Sequence, residues 1–158
     1  MLNIIIIAVG KLDTNYWNLA FQEYYKRLKN TTKITILTIN EITTNKNIAI
    51  NLKLEANKIN LLLAKYFDYQ TFLLDLNGDL ITSEELAKIV TTNQNFYQGK
   101  LLFIIGGSNG VASEIKDNTK IRKLAFGRIT LLHQLAQVIL IEQLYRALQI
   151  INHKSYHK

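Results

Sequence analysis

The segment 101–110, LLFIIGGSNG, constrains the fold more than any other part of the sequence. Five apolar residues run without interruption and stop at Gly106 and Gly107, and Gly110 follows. A short, continuous apolar run is typical of a strand buried on both faces of a parallel sheet. Ligands of open α/β sheets bind beyond the carboxyl ends of strands, where glycines let the backbone approach them closely. The glycines therefore mark a candidate site, with an ordinary turn as the alternative.

The rest of the chain alternates between strand-like and helix-like patterns. Apolar or β-branched runs predict further strands at 2–9, 33–39, 71–76 and 121–126. Periodic apolar residues predict helices over about 14–30, from 48, after 82, over 113–119 and over 130–151. Such alternation is typical of a parallel sheet with helices on its faces. We therefore expect a single α/β domain, 1–158, with a mostly parallel sheet flanked by helices.

Local signals refine these boundaries. Thr82 followed three residues later by Glu85 has the spacing of a capping box at a helix start. Asp13 or Thr14 is a candidate cap for the first helix. The sequence Asn-Gly-Asp at 77–79 predicts a turn that closes the third strand. The polar segment 41–47 is expected to be the most mobile loop.

The charge balance indicates the kind of partner. With 19 Lys and Arg against 12 Asp and Glu, the 158-residue chain carries a formal net charge of +7. A basic surplus on a small domain favours a polyanionic partner, such as nucleic acid or the ribosome. No apolar run reaches the ~20 residues that cross a bilayer. The chain has no cysteine, which is compatible with a reducing cytoplasm, so we expect a cytoplasmic protein without membrane association.

The last predicted helix has no clean polar face. Apolar residues surround its axis, and a helix that is apolar all round is buried all round. Because one sheet covers only one side of it, we expect a second subunit to cover the other side, as a homodimer through this helix. Glu142 and Arg146 lie four residues apart, which favours an ion pair, while contact of Arg146 with a phosphate is the alternative.

The absence of known catalytic motifs excludes several kinds of enzyme site. The sequence contains no Walker A loop, no GxGxxG fingerprint, no HExxH and no clustered metal ligands. The candidate titratable groups are three late histidines: His133, His153 and His157. His133 opens the long helix, where a cap or a packing residue is the alternative to a catalyst. His157 belongs to a C-terminal Tyr-His-Lys tail at 156–158, which is either frayed or able to stack on a base and hold a phosphate.

Several motifs along the chain together carry a family resemblance. They are AVGKL at 8–12, YW at 16–17, FIIGGSNG at 103–110, HQ at 133–134, IEQ at 141–143, YRA at 145–147 and YHK at 156–158. Through them the sequence resembles the RlmH-type SPOUT methyltransferases, which act on a pseudouridine of large-subunit (23S) ribosomal RNA. The resemblance spans essentially the whole chain.

The resemblance implies a fold, a cofactor and a reaction. The C-terminal part would form a deep trefoil knot, a rare exception among folds, and bind S-adenosylmethionine. The enzyme would work as a homodimer and methylate N3 of the pseudouridine, with assembled ribosomes as the expected substrate. Backbone groups of three loops would hold the cofactor: Leu74, Gly106, and Phe126, Gly127, Arg128, Ile129, Thr130 and Leu131.

Roles for other residues also follow from the resemblance and the chemistry. Methyl transfer to N3 requires loss of the N3 proton, and histidine is the side chain that titrates near neutral pH. His133 and His157 are therefore the candidate catalytic bases. Arg146, Tyr156 and Lys158 are the candidate RNA-binding residues. No metal is expected.

The sequence departs from the family pattern at four positions. Gly127 stands where a serine is usual, Leu132 where a proline is usual, Gln137 where an arginine is usual and His153 where a glycine is usual. These departures keep one alternative open, which is a non-catalytic ribosome- or RNA-binding domain of the same fold.

Overall fold

The computed structural model describes residues 1–156. Within these residues a five-stranded parallel sheet has the strand order β2-β1-β4-β3-β5. The strands are β1 (Leu2–Val9), β2 (Thr32–Ile39), β3 (Gln70–Leu80), β4 (Lys100–Ile105) and β5 (Ile121–Ala125). The helices are α1 (Asn15–Leu28), α2 (Ile48–Lys65), α3 (Ser83–Phe96), α4 (Ser113–Lys116) and α5 (His133–Ile151). The predicted α/β class is confirmed.

Burial explains why the two strongest apolar runs were recognisable. Strands β1 and β4 lie side by side in the middle of the sheet, so both of their faces are covered. Seven of the eight residues of β1 and five of the six of β4 are buried. Strand β2 lies at one edge and alternates between buried and accessible positions, as expected for a strand with one covered face.

Helices cover both faces of the sheet. Alternate residues of β1 point to opposite cores: Ile4 and Ile6 pack with α1, α3 and α5, whereas Ile5 and Ile7 pack with α2 and α4. Right-handed crossovers require this arrangement, because the chain moves along the sheet in opposite directions in successive connections. No helix in the described part of the chain is long and apolar enough to cross a membrane.

Helix α5 lies on the sheet between α1 and α3. All of its residues from His133 to Ile151 are buried or partly buried, and both neighbouring helices pack against it. The expectation that α5 needs a second subunit considered only the sheet as cover within the chain, but two helices of the same chain also flank it. Homodimerisation stays a prediction that needs other support.

The third strand is longer than expected. The predicted turn at 77–79 is instead part of β3, which continues to Leu80 after a register shift between Leu74 and Asp79. Gly78 permits this course, because a Cβ there would lie 2.6 Å from the carbonyl carbon of Lys123 on β5. The Asn-Gly-Asp signal marks an irregularity in the strand pairing, and not the end of the strand.

Other element ends differ by a few residues. Helix α5 begins at His133 and not at residue 130, helix α4 ends at Lys116 and not at 119, and β5 ends one residue before Phe126. The capping box at α3 is confirmed: Glu85 N–H donates to Thr82 Oγ1 at 3.1 Å, and Thr82 N–H donates to Glu85 Oε2 at 2.7 Å.

Candidate functional site

A crevice of about 730 Å³ opens at the carboxyl ends of β3, β4 and β5. Three chain segments form its walls: the end of β3, the glycine loop after β4, and the segment from β5 to α5. Of the residues proposed from the sequence, the structure brings the following together in its lining: Leu74, Gly106, Phe126, Gly127, Ile129, Thr130, Leu131 and His133.

The strand order explains the position of the crevice. After β3 the chain leads to α3 on one face of the sheet, and after the neighbouring β4 it leads to α4 on the other face. The loops therefore separate at the β3–β4 boundary and leave a gap beyond the strand ends. Such a topological switch point is where open α/β sheets bind ligands.

The lining of the crevice is mostly apolar with a few polar groups. Ile105, Val111 and Ile139 contribute aliphatic surface, while Asp75 and Lys116 contribute charges of opposite sign. This combination suits a ligand with an apolar ring system and a polar, charged portion. No group of three potential metal ligands occurs within residues 1–156.

The glycine loop after β4 makes a tight turn. Gly110 N–H donates to the carbonyl of Gly107 at 3.0 Å. At Gly106 a Cβ would lie 2.8 Å from the carbonyl carbon of Gly110, so no side chain fits there. Gly110 has φ +76°, a left-handed conformation that suits glycine. The glycines therefore form a tight turn, which also lines one wall of the crevice.

A carboxylate from another loop clasps this turn. Glu41, which follows β2, accepts hydrogen bonds from Ser108 N–H at 2.8 Å and from Ser108 Oγ at 3.2 Å. Gly107 makes room for it, since a Cβ there would lie 2.8 Å from Glu41 Oε1. The sequence analysis missed this residue, because the contact joins positions 67 residues apart.

The loop that carries Glu41, which we expected to be the most mobile, is hydrogen-bonded to α2 at two points. The buried Glu55 of α2 accepts a hydrogen bond from Ile42 N–H at 2.8 Å. Asn51, also buried on α2, bonds both the N–H and the carbonyl of Asn45. Burial raises the pKa of Glu55, and the nearby Glu41 acts in the same direction. The polar residues at 51 and 55 on the buried face of α2 were the sequence signal for this anchor.

Arg128 has a different position from the residues around it. It is absent from the crevice lining within the described residues, and its guanidinium donates to the carbonyls of Leu76 and Gly78, the latter at 2.8 Å. Its side chain thus ties the segment after β5 to the irregular end of β3. Gly127 next to it does line the crevice.

His133 lies between the crevice and a second, more polar depression. This polar basin, of about 340 Å³, is lined by Gly10, Lys11, Asp13, Asn40, Glu41, His133 and Gln134. The imidazole packs on Gly10, where a Cβ would lie 2.7 Å from His133 Nε2. Gly10 also has φ +97°, so two independent constraints favour glycine at this position. His133 is the only residue that lines both cavities within the described part of the chain.

Two glutamines of α5 fix the walls of the polar basin. Gln134 donates to Asp13 at 3.2 Å and to the Thr14 hydroxyl at 3.1 Å, and its carbonyl accepts from Thr14 N–H. The side chains of Asp13 and Thr14 thus bond Gln134, and Thr14 is the N-cap residue of α1 without a side-chain cap. Gln137 is buried and donates to the carbonyl of Gly10 at 3.5 Å, so the residue that stands for the family's arginine faces the interior.

Tyr156, the last described residue, packs against α5. The Tyr156 hydroxyl donates to Glu142 at 3.1 Å, and its ring packs on Tyr145 and on the Arg146 guanidinium. Arg146 also pairs with Glu142 at 2.6 Å, which confirms the predicted ion pair. That hydrogen bond raises the pKa of Arg146, while burial, followed by the bond with Tyr24, raises the pKa of Tyr156. The catalytic candidate His157 and the RNA-binding candidate Lys158 lie outside the described residues.

His153 adopts an unusual backbone conformation just after α5. Its N–H donates to the carbonyl of Ile150 at 3.0 Å, and Lys154 N–H donates to the carbonyl of Gln149 at 2.9 Å. These two bonds form a Schellman motif, in which the residue at the position of His153 is left-handed and usually glycine. His153 has φ +53°, which gives a physical reason for the glycine that is usual in the family.

Fold and site together define a class: an open parallel α/β sheet whose ligand crevice is assembled at the β3–β4 switch point. The description "Predicted SPOUT methyltransferase" belongs to a family model that matches residues 2–157. The chain belongs to the SPOUT methyltransferase family.

Individual relatives are similar over nearly their whole length. The chain is 42% identical over 156 residues to "Ribosomal RNA large subunit methyltransferase H" of Mycoplasma capricolum subsp. capricolum, covering 97% of each chain. It is 37% identical to the protein of that name from Fusobacterium nucleatum, over 99% of this chain and 100% of the relative. The relative from Carboxydothermus hydrogenoformans, with the same name, is 36% identical at the same coverage.

Proposed function

We propose that this protein is an S-adenosylmethionine-dependent methyltransferase that acts at N3 of a pseudouridine in large-subunit (23S) ribosomal RNA. The observation that carries the proposal is the crevice at the switch point, in a chain of the SPOUT methyltransferase family. The relatives' names, which specify large-subunit ribosomal RNA, support the substrate. The net charge of +7 favours such a polyanionic partner.

The crevice fits the cofactor by its size and by the chemistry of its walls. Aliphatic side chains such as Leu74 and Ile105 suit the faces of an adenine ring. The tight turn at Gly106 leaves the loop backbone free of side chains beside the ligand. We assign cofactor contacts to Leu74, Gly106 and the backbone of Phe126, Gly127, Ile129, Thr130 and Leu131, whereas Arg128 holds the end of β3 and lies outside the lining. When bound, S-adenosylmethionine supplies a methyl group activated by a positively charged sulfur.

His133 is our candidate base for the acceptor. It faces the cofactor crevice on one side and the polar basin on the other, so an acceptor base in the basin lies next to the methyl donor. The imidazole would accept the N3 proton of the base while the new N–CH3 bond forms and the bond from the methyl group to the sulfonium sulfur breaks, with S-adenosylhomocysteine as the leaving group. Packing on Gly10 and the bonds of Gln134 hold the ring and the first turn of α5 in place. His157 is a second candidate base.

The remaining partners belong to the same proposal. Arg146, Tyr156 and Lys158 contact the RNA, and assembled ribosomes are the substrate, in the cytoplasm. The protein is a homodimer that contacts its partner along α5. Exposed Tyr16 and Leu132 support this contact, because they lie at the linked first turns of α1 and α5. The segment from β5 to α5 lines the crevice between two other loops, which supports a trefoil knot there.

The test is methyl transfer to ribosomes that lack the modification, followed by mass-spectrometric mapping of the modified nucleotide. We expect one methyl group per large subunit, at N3 of a pseudouridine. His133→Ala should slow single-turnover transfer by a factor of ~10² or more, a far larger effect than any change in the dissociation constant for S-adenosylhomocysteine. Binding of ribosomes without any methyl transfer would instead favour the non-catalytic RNA-binding domain. The molar mass of the purified protein, measured by light scattering in the absence of ribosomes, shows whether it is a dimer.

A further inference from the structure

Helix α2, the loop after β2 and the glycine loop are connected in that order by hydrogen bonds to two carboxylates. Glu55 on α2 bonds the backbone of the loop after β2 at Ile42, and Glu41 of that loop bonds Ser108 of the glycine loop. The glycine loop lines the crevice at Gly106, Gly107, Ser108 and Gly110. None of the described residues of α2 lines the crevice itself.

Glu41 holds the glycine loop through two hydrogen bonds to its carboxylate. Both of its carboxylate oxygens are engaged by Ser108, one by the backbone N–H and one by the hydroxyl. Hydrogen bonds to a charged acceptor are stronger than neutral ones. Gly107 is compatible with this contact only because it has no Cβ, which would reach Glu41 Oε1 and the side chain of Val9.

The burial of Glu55 indicates that this residue anchors the loop that carries Glu41. Its side chain is buried although a buried carboxylate is costly without partners. Its described hydrogen bond holds a loop backbone and no other side chain. The bond from Ile42 N–H to Glu55 holds the loop that carries Glu41. Glu41 therefore loses less conformational entropy when it binds Ser108.

We propose that Glu41, held in place by Glu55, is a positioning residue that fixes the glycine loop in the conformation that binds the cofactor. The pair acts through the loop and does not touch the cofactor. The inference rests on the proposed function for the identity of the cofactor. The hydrogen bonds between Glu41 and Ser108 can be tested without knowing the cofactor. Loss of the hydrogen bonds between Glu41 and Ser108 leaves the crevice in place. It lowers the fraction of molecules whose glycine loop has the conformation that binds the cofactor.

The experiment combines hydrogen exchange with calorimetry on the full chain. In Glu41→Ala, amide exchange should become faster in 106–110 and stay unchanged in β4. The dissociation constant for S-adenosylhomocysteine should rise about 10-fold, the equivalent of roughly one charge-assisted hydrogen bond. Glu41→Gln should recover most of the affinity, because its amide oxygen still accepts from Ser108 N–H. Ser108→Ala should show a smaller effect, because the backbone bond remains.

Three further variants separate the effect of Glu55 on the glycine loop from general effects of charge or stability. Glu55→Ala should loosen 106–110 although the described hydrogen bond of Glu55 goes to Ile42 and not to that loop, while Glu55→Gln, whose amide oxygen still accepts from Ile42 N–H, should not. Glu114→Ala, on α4, makes the same charge change at an exposed position and should alter neither measurement. The urea midpoint of every variant is recorded, so that global unfolding is recognised.

Unchanged exchange in 106–110 and an unchanged dissociation constant in Glu41→Ala would overturn the proposal. An equal effect of Glu41→Gln and Glu41→Ala would also contradict it, since the hydrogen bond would then be irrelevant. If the wild-type protein fails to bind S-adenosylhomocysteine, the proposed function fails. The exchange measurement then still decides whether Glu41 holds the loop.

Discussion

His153, the second residue after α5, offers a test of the backbone geometry. His153 has φ +53° in a Schellman motif, a left-handed conformation that costs a non-glycine residue about 1–2 kcal/mol. Glycine avoids this cost but loses about 0.5–1 kcal/mol more conformational entropy on folding. We therefore expect His153→Gly to stabilise the protein by roughly 0.5–1 kcal/mol. For a chain of this size that corresponds to an increase in melting temperature of about 1–4 °C.

Urea denaturation followed by circular dichroism measures the effect, with the slope of the transition used to verify that only stability has changed. His153→Ala is the matched control, because it removes the imidazole and keeps the Cβ that causes the strain. Alanine should therefore leave stability unchanged or lower it slightly. Equal stability of the glycine and alanine variants would refute the reasoning, since the gain would not come from the left-handed backbone.

Two other substitutions test the packing of the sheet and the buried carboxylate. Gly78→Ala should lower the free energy of unfolding by about 1–3 kcal/mol, because its Cβ would overlap the backbone of β5. Burial raises the pKa of Glu55, so the folded state holds this proton to a higher pH than the unfolded state. Stability should therefore fall as the pH rises above the ordinary pKa of a glutamate, and Glu55→Gln should flatten that dependence in urea midpoints measured from pH 4 to 8.

Local sequence signals were sufficient for most of the framework. The continuous apolar runs at 4–9 and 101–105 correctly predicted buried strands, because only a strand covered on both faces requires apolar residues at every position. The capping box at Thr82 placed the start of α3. The glycines after β4 indicated the crevice, because a ligand site and a tight turn make the same demand on the backbone.

The remaining features depend on contacts between distant parts of the chain. The Asn-Gly-Asp signal at 77–79 was interpreted as a turn, because the sequence does not reveal that β5 continues to pair beyond it. The clasp between Glu41 and Ser108 has no local signature. Helix α5 was expected to need a second subunit, because its flanking by α1 and α3 follows from the strand order and not from its own composition.

A crystal structure of the protein with S-adenosylhomocysteine tests the central claim most directly. The account predicts the ligand in the crevice beyond β3 and β4, against Leu74, Gly106 and the backbone of 126–127 and 129–131, with its sulfur on the side of His133. Ligand bound elsewhere, or a crevice closed by its own side chains in the complex, would contradict the account.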